Sequence, residues 1–71
     1  MQQIRKKLGD RIRKLRTRRG WSQEEFAAVS GVHRTYIGAV ERGEKNLTLA
    51  TLHTLAKTLD TSIAQLFRSI A

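Results

Sequence analysis

The sequence predicts an all-α fold, one compact domain of about five short helices. Three observations lead there. Apolar residues recur at three- and four-residue spacings nearly throughout, and no stretch alternates as a half-buried strand would. Glycines and helix-capping residues cut this periodicity into short segments. The 71 residues contain no proline, low-complexity tract or internal repeat, so no linker divides the chain. A chain of this size is near the lower limit for burying an adequate core alone, which favours a partner subunit.

The first helix is expected from about Gln3 to Arg19, with Ile4, Leu8, Ile12 and Leu15 as its apolar stripe. Gly20 suits the left-handed position after its end. The second opens at "SQEE", where Ser22 caps and Glu25 reaches back in a capping box, and it ends at Ser30-Gly31. The third runs from about His33 to Arg42 and stops at Gly43. The fourth, from Thr48 to about Leu59, carries Leu49, Leu52, Leu55, Ala56 and Leu59 on one side. The fifth opens at Ser62-Ile-Ala-Gln65, a second capping box, and presents Ile63, Leu66, Phe67 and Ile70.

Charge narrows the function. Fourteen Lys and Arg against six Asp and Glu leave a net +8. Nine of those cations precede Gly20 (Arg5, Lys6, Lys7, Arg11, Arg13, Lys14, Arg16, Arg18 and Arg19), offset there only by Asp10. Such a chain suits a polyanion, either nucleic acid or an anionic membrane surface, unless the cations form only a solvated face that aids solubility. The chain has no cysteine, which excludes disulfides and cysteine-ligated metal. There is also no apolar run long enough for a membrane span or a signal peptide, so a cytoplasmic protein is expected. His33 and His53 lie twenty residues apart and make no metal site. Nothing resembles a phosphate loop or a nucleophile beside a base, so neither an enzyme nor a cofactor or small-molecule ligand is expected.

The second and third helices are joined by a tight glycine turn inside an all-helical domain, the layout of a helix-turn-helix over about residues 23–42. Ala27 is small enough for a close helix crossing, and Gly31 can take the positive φ of the sharp turn. Val32, Ile37 and Val40 supply the buried side of the third helix.

Taken in order, "LGDRIRKLRTRRGWSQEEFA", "SGV", "YIGAVERG" and "LTLATLHTLAKTLDTSIAQLF" resemble the phage Cro/repressor type of helix-turn-helix protein, the Xre family. The resemblance runs from about Leu8 to Phe67 and implies a lambda-repressor-like DNA-binding domain spanning residues 1–71. The stretch "RTYIGAVERGEKNLTLATL" is similar to the controller proteins of bacterial restriction–modification systems. In the family, the glutamine opening the second helix supports the phosphate backbone and the first recognition residues. That role falls on Gln23, at a helix start that favours an anion anyway. The loop after the recognition helix follows the DNA backbone in relatives, which makes Arg42, Lys45 and Asn46 expected phosphate contacts. Asn46 serves equally well as a turn residue. A family ion pair maps onto Arg16 and Glu41, which removes Arg16 from the DNA-contacting set.

Helical geometry divides the third helix independently. With Arg34 at zero and about 100° per residue, Gly38 falls at about 40°, Arg42 at about 80°, Thr35 at about 100° and Ala39 at about 140°. Ile37 and Val40, at about 300° and 240°, share the buried side, and Glu41 at about 340° lies beside it. The outer face therefore reads Arg, Thr, Gly, Ala, Arg. Arg34, in the first turn, is the expected base reader, since its guanidinium can bond guanine O6 and N7 together, unless it contacts phosphate only. Thr35 offers a hydroxyl to a base or phosphate, or a methyl to thymine. His33 is either a turn residue or cap, or a DNA contact. Tyr36, on the flank, either packs against the second helix or turns its hydroxyl to DNA. Gly38 is expected to bring the helix backbone close to the groove, unless it is neutral drift at a tolerant site.

One recognition helix reads only a few base pairs. A two-fold homodimer on a (pseudo)palindromic operator is therefore expected, acting as a transcriptional regulator on double-stranded DNA. Its interface is expected in the helix at about residues 62–70. Ile63, Leu66, Phe67 and Ile70 are divided there between monomer core and dimer contact, the last two nearer the interface. A DNA-binding antitoxin would share this fold. A basic helix that binds membrane or a partner protein is the remaining alternative, resting on residues 4–19 alone.

Overall fold

The computed structural model describes residues 2–68, with side chains from Gln3 onward. Five helices follow in order: α1 (Gln2–Arg18), α2 (Gln23–Ser30), α3 (Arg34–Glu41), α4 (Leu49–Thr58) and α5 (Ile63–Arg68). Ser22 caps α2 as a complete capping box: its hydroxyl accepts from the Glu25 N–H, and Glu25 accepts from the Ser22 N–H. Thr48 caps α4 through the Thr51 N–H, and the Ser62 hydroxyl accepts from the Gln65 N–H at the start of α5.

The core joins all five helices through Leu8 and Ile12 of α1, Phe26 of α2, Ile37 and Val40 of α3, Leu52, Leu55 and Ala56 of α4, Leu59 just past it, and Leu66 of α5. Phe26, Ile12, Ile37, Leu55 and Leu66 are the largest fully buried side chains. Each contributes about 1.5–3 kcal/mol of burial free energy. Phe26 had no place in the sequence-derived stripes. It lies at the centre, with the Trp21 ring stacked on it at 5.9 Å between centroids.

Two expected stripe members lie outside this core. Ile4 stays half exposed, one turn short of Leu8, and Leu49, the first residue of α4, is 76% exposed. In both cases the helix begins before its apolar face meets a neighbour.

Gly9 sets how α1 meets α3. A Cβ there would overlap the Val40 carbonyl oxygen and lie 2.8 Å from that of Glu41. The bare backbone of α1 thus lies directly on the last turn of α3. Gly43 does the same one step later: it holds φ +75°, and a Cβ would lie 2.9 Å from the Lys6 Cα. The loop after α3 therefore leaves its helix against α1. At the far end of α1, Arg19 stacks over Trp21 and donates to the Leu59 carbonyl at the α4–α5 turn.

Candidate nucleic-acid interface

The turn between α2 and α3 is built locally. Gly31 sits at φ 75° and its N–H bonds back to the Ala27 carbonyl, closing α2 in a left-handed cap. The Ser30 hydroxyl donates to the Ala27 carbonyl and accepts from the Val32 N–H. His33 then caps α3: its Nδ1 accepts from the Thr35 N–H at 3.1 Å. With Nδ1 as acceptor, the neutral ring carries its proton on Nε2. The structure thus gives His33 a definite cap role and leaves the residue exposed.

Behind α3 lies a buried polar centre. Arg16 and Glu41 are both nearly fully buried and meet as a two-bond fork, Nε to Oε2 at 2.6 Å and Nη2 to Oε1 at 3.0 Å. Arg16 Nη1 donates to the Trp21 carbonyl at 2.7 Å, so the guanidinium is engaged on three of its nitrogens. Gln23 completes the group, its Nε2 donating to Glu41 Oε1 at 3.1 Å. The carboxylate thereby ties the end of α3 to α1 and to the start of α2. The second Nε2 hydrogen of Gln23 remains available to an outside acceptor.

The outer face of α3 departs from the simple wheel. Arg34 and Thr35 are exposed at its N-terminal turn, but Gly38 and Ala39 are buried. Gly38 lies under the side chains of Arg42 and Gln23: a Cβ would sit 3.2 Å from Arg42 Nη1 and 3.5 Å from Gln23 Oε1. It is therefore overlaid by these two flexible side chains, at the floor of the open cleft between them. Beyond it the chain folds back, with the Glu44 N–H bonded to the Ala39 carbonyl. Tyr36 is partly buried against the core, with Lys45 Nζ over its ring at 5.8 Å. Asn46 Oδ1 accepts from Arg5 Nη1, which ties the loop after α3 to the N-terminal part of α1.

Two glutamates outside α3 engage Arg34 of its first turn and Arg42, its C-cap residue. Glu24, on α2, accepts from Arg34 Nη1 at 2.6 Å, and Glu44 accepts from Arg42 Nε at 3.1 Å. Beside Arg42 an open, basic cleft of about 340 Å³ is lined by Lys6, Arg13, Gln23, Gly38 and Arg42 around the buried Arg16–Glu41 pair. Arg34 is thus joined to α2 through Glu24, while Gln23 and Arg42 meet over Gly38.

The fifth helix divides as its burial dictates. Leu66 is 1% exposed and belongs to the monomer core, so it has no surface to offer a second copy. Ile63 is partly buried against that core, Phe67 is 38% exposed, and Ile70 lies outside the described residues. Among the described residues no helix is long and apolar enough to cross a membrane, and no group of His, Asp and Glu could hold a metal ion.

Sequence reasoning missed Glu24 and Arg5 beside this surface, and Gly9 in the buried crossing that supports it. Gly9 carried a readable signal, a glycine inside an apolar helical period. Glu24 and Arg5 carried none, because their partners are reached only through the crossing of separate helices.

Comparison with known proteins bears on the same region. A helix-turn-helix family model, HTH_3, matches residues 12–66. The control protein C.SmaI of Serratia marcescens is 51% identical over 63 residues, covering 89% of this chain and 75% of that protein. The crystal structure of the restriction–modification controller protein C.AhdI from Aeromonas hydrophila superposes with a TM-score of 0.83 at 47% identity, covering 87% of this chain and 94% of that one. A third similar structure is the controller protein C.Esp1396I as a tetramer in complex with its natural 35 base-pair operator. Its TM-score is 0.83 at 34% identity, over 94% of this chain and 88% of that one.

Proposed function

The chain belongs to the HTH_3 helix-turn-helix family, and on that footing we propose that it is a sequence-specific transcriptional regulator of double-stranded DNA, acting as a homodimer on a two-fold-related operator. The observation that carries this reading is the placement of Arg34 and Thr35. They stand exposed on the first turn of α3, while the rest of that helix is locked to α1 and α2 through Gly9 and the Arg16–Glu41–Gln23 group. A rigid helix with its readers at the N-terminal end is what entry into the major groove requires. Arg34 reads guanine, and Thr35 contacts the neighbouring base or phosphate. Gln23, Arg42, Lys45 and Asn46 hold the backbone and fix register. Helix α5 pairs two copies through Phe67, with Ile63 at its margin. The relatives named above are control and controller proteins rather than enzymes, which accords with a binding function.

The test is footprinting on the DNA upstream of the chain's own gene, with selection from a randomised duplex library in parallel. The expected result is one or more discrete sites with two-fold symmetry and half-sites about 34–36 Å apart. Equal binding to operator and random duplex would overturn the reading. Arg34→Ala is expected to weaken operator binding by about 1–3 kcal/mol and to relax the sequence preference at one base pair of each half-site.

A further inference from the structure

All six acidic residues of this basic chain have a place in the fold. Asp10 meets Lys6, Glu25 caps with Ser22, Glu41 holds Arg16 and Asp60 lies near Arg19. The remaining two, Glu24 and Glu44, engage Arg34 and Arg42. Exposed ion pairs contribute little to stability. An acid kept on the surface that faces phosphate also opposes binding at long range. Glu24 lies in the first turn of α2, a place that favours an acid, and its carboxylate is also the one that engages Arg34.

We propose that Glu24 is a specificity-determining positioning residue: it fixes Arg34 for guanine and denies that cation to phosphates of any other sequence. The proposal rests on the DNA-binding reading of α3. Its geometry is that of the guanidinium fork. Glu24 Oε1 takes Nη1 of Arg34 at 2.6 Å, while the two side chains remain 60% and 72% exposed. Guanine O6 and N7 need two parallel N–H groups, and the edge formed by Nε and Nη2 still supplies them. Glu24 thus anchors one edge of the group and leaves the reading edge free. A phosphate oxygen carries a full negative charge and would have to approach the same guanidinium beside the Glu24 carboxylate. A guanine edge is neutral and carries no such penalty. The acid therefore weakens binding to every sequence, and weakens it least where a guanine meets Arg34.

Glu44 provides an internal comparison. Its partner Arg42 is a backbone contact, so unmasking it strengthens binding to all sequences alike.

The experiment measures dissociation constants of wild type, Glu24→Ala and Glu44→Ala for the library-selected duplex and for a scrambled duplex, at several salt concentrations. Glu24→Ala is expected to tighten binding to the scrambled duplex and reduce discrimination about five-fold or more, steepening the scrambled-duplex salt slope by about one. It is also expected to relax the preference at the guanine read by Arg34. Glu44→Ala is expected to tighten both duplexes equally. In an Arg34→Ala background, Glu24→Ala should no longer change discrimination. The proposal is overturned if Glu24→Ala shifts both duplexes by one factor, or if its effect persists without Arg34. A wild-type protein that fails to distinguish the two duplexes would instead sink the DNA-reading role itself.

Discussion

Arg16 has the charge of a DNA contact and the burial of a core residue. Its guanidinium is satisfied by Glu41 and the Trp21 carbonyl, and Gln23 takes up one of the same carboxylate oxygens. Glu41→Gln leaves a buried cation without its counter-charge, and the expected loss is about 3–5 kcal/mol in urea unfolding. In a small domain that approaches the entire stability. A paired replacement by apolar residues of similar size, Arg16→Met with Glu41→Leu, should recover much of it. Recovery would show the penalty to be an orphaned charge rather than lost packing. The pair itself was legible, because the Xre resemblance and the angular position of Glu41 both pointed inward. The contributions of Gln23 and the Trp21 carbonyl were not, since each comes from a different part of the chain. Glu25 gives a pH signature at the same scale. The Ser22 backbone N–H, and then the Ser22 hydroxyl, hold its carboxyl below the usual glutamate range. A depressed folded value makes this contribution fully present at neutral pH and lost as pH falls through the glutamate range toward the folded value. Glu25→Gln should therefore flatten the acid limb of the urea midpoint measured between about pH 3 and pH 6.

At the scale of elements, two mid-helix glycines that look alike in sequence should respond oppositely to alanine. In Gly9 the added methyl meets backbone carbonyl oxygens of Val40 and Glu41, which cannot move without separating α1 from α3. Gly9→Ala is expected to cost about 1–3 kcal/mol or more, through forced backbone shifts. In Gly38 the same methyl meets the ends of the Arg42 and Gln23 side chains at 3.2 and 3.5 Å, and Arg42 can swing away. Here the helix-propensity gain of up to about 1 kcal/mol should prevail, and Gly38→Ala should raise the urea midpoint. Its effect on operator binding is a separate measurement. Weaker binding by a more stable protein would mean that the glycine is kept for the displaced Arg42 or for the groove. The helices themselves were readable to within a residue or two, because caps at Ser22, Thr48 and Ser62 and glycines at 20, 31 and 43 mark their ends. What a wheel drawn on one helix could not supply was the covering of Gly38 by neighbours from α2 and from beyond α3.

For the whole molecule, the division of α5 decides how the charge is used. Leu66 is spent inside the monomer, leaving Phe67 as the described apolar residue of that helix most available to a second copy, and its 38% exposure leaves room for further burial. Periodicity showed that α5 was apolar, but it could not distribute Ile63, Leu66 and Phe67 between core and interface. That distribution depends on how α5 crosses α1 and α4. If two copies pair there, each brings one basic surface to DNA, and a dimer neutralises about twice the phosphates of a monomer. Phe67→Lys places a charge in that contact while sparing the Leu66 side of the helix, so the helical circular dichroism and a cooperative urea transition should persist. Sedimentation should then report a monomer at concentrations where the wild type is a dimer. The slope of log K against log salt should fall to about half its wild-type value, because counterion release scales with the number of phosphates engaged. An unchanged sedimentation coefficient with an unchanged slope would place the pairing surface elsewhere. A monomer that kept the full slope would show that one copy already makes all the phosphate contacts.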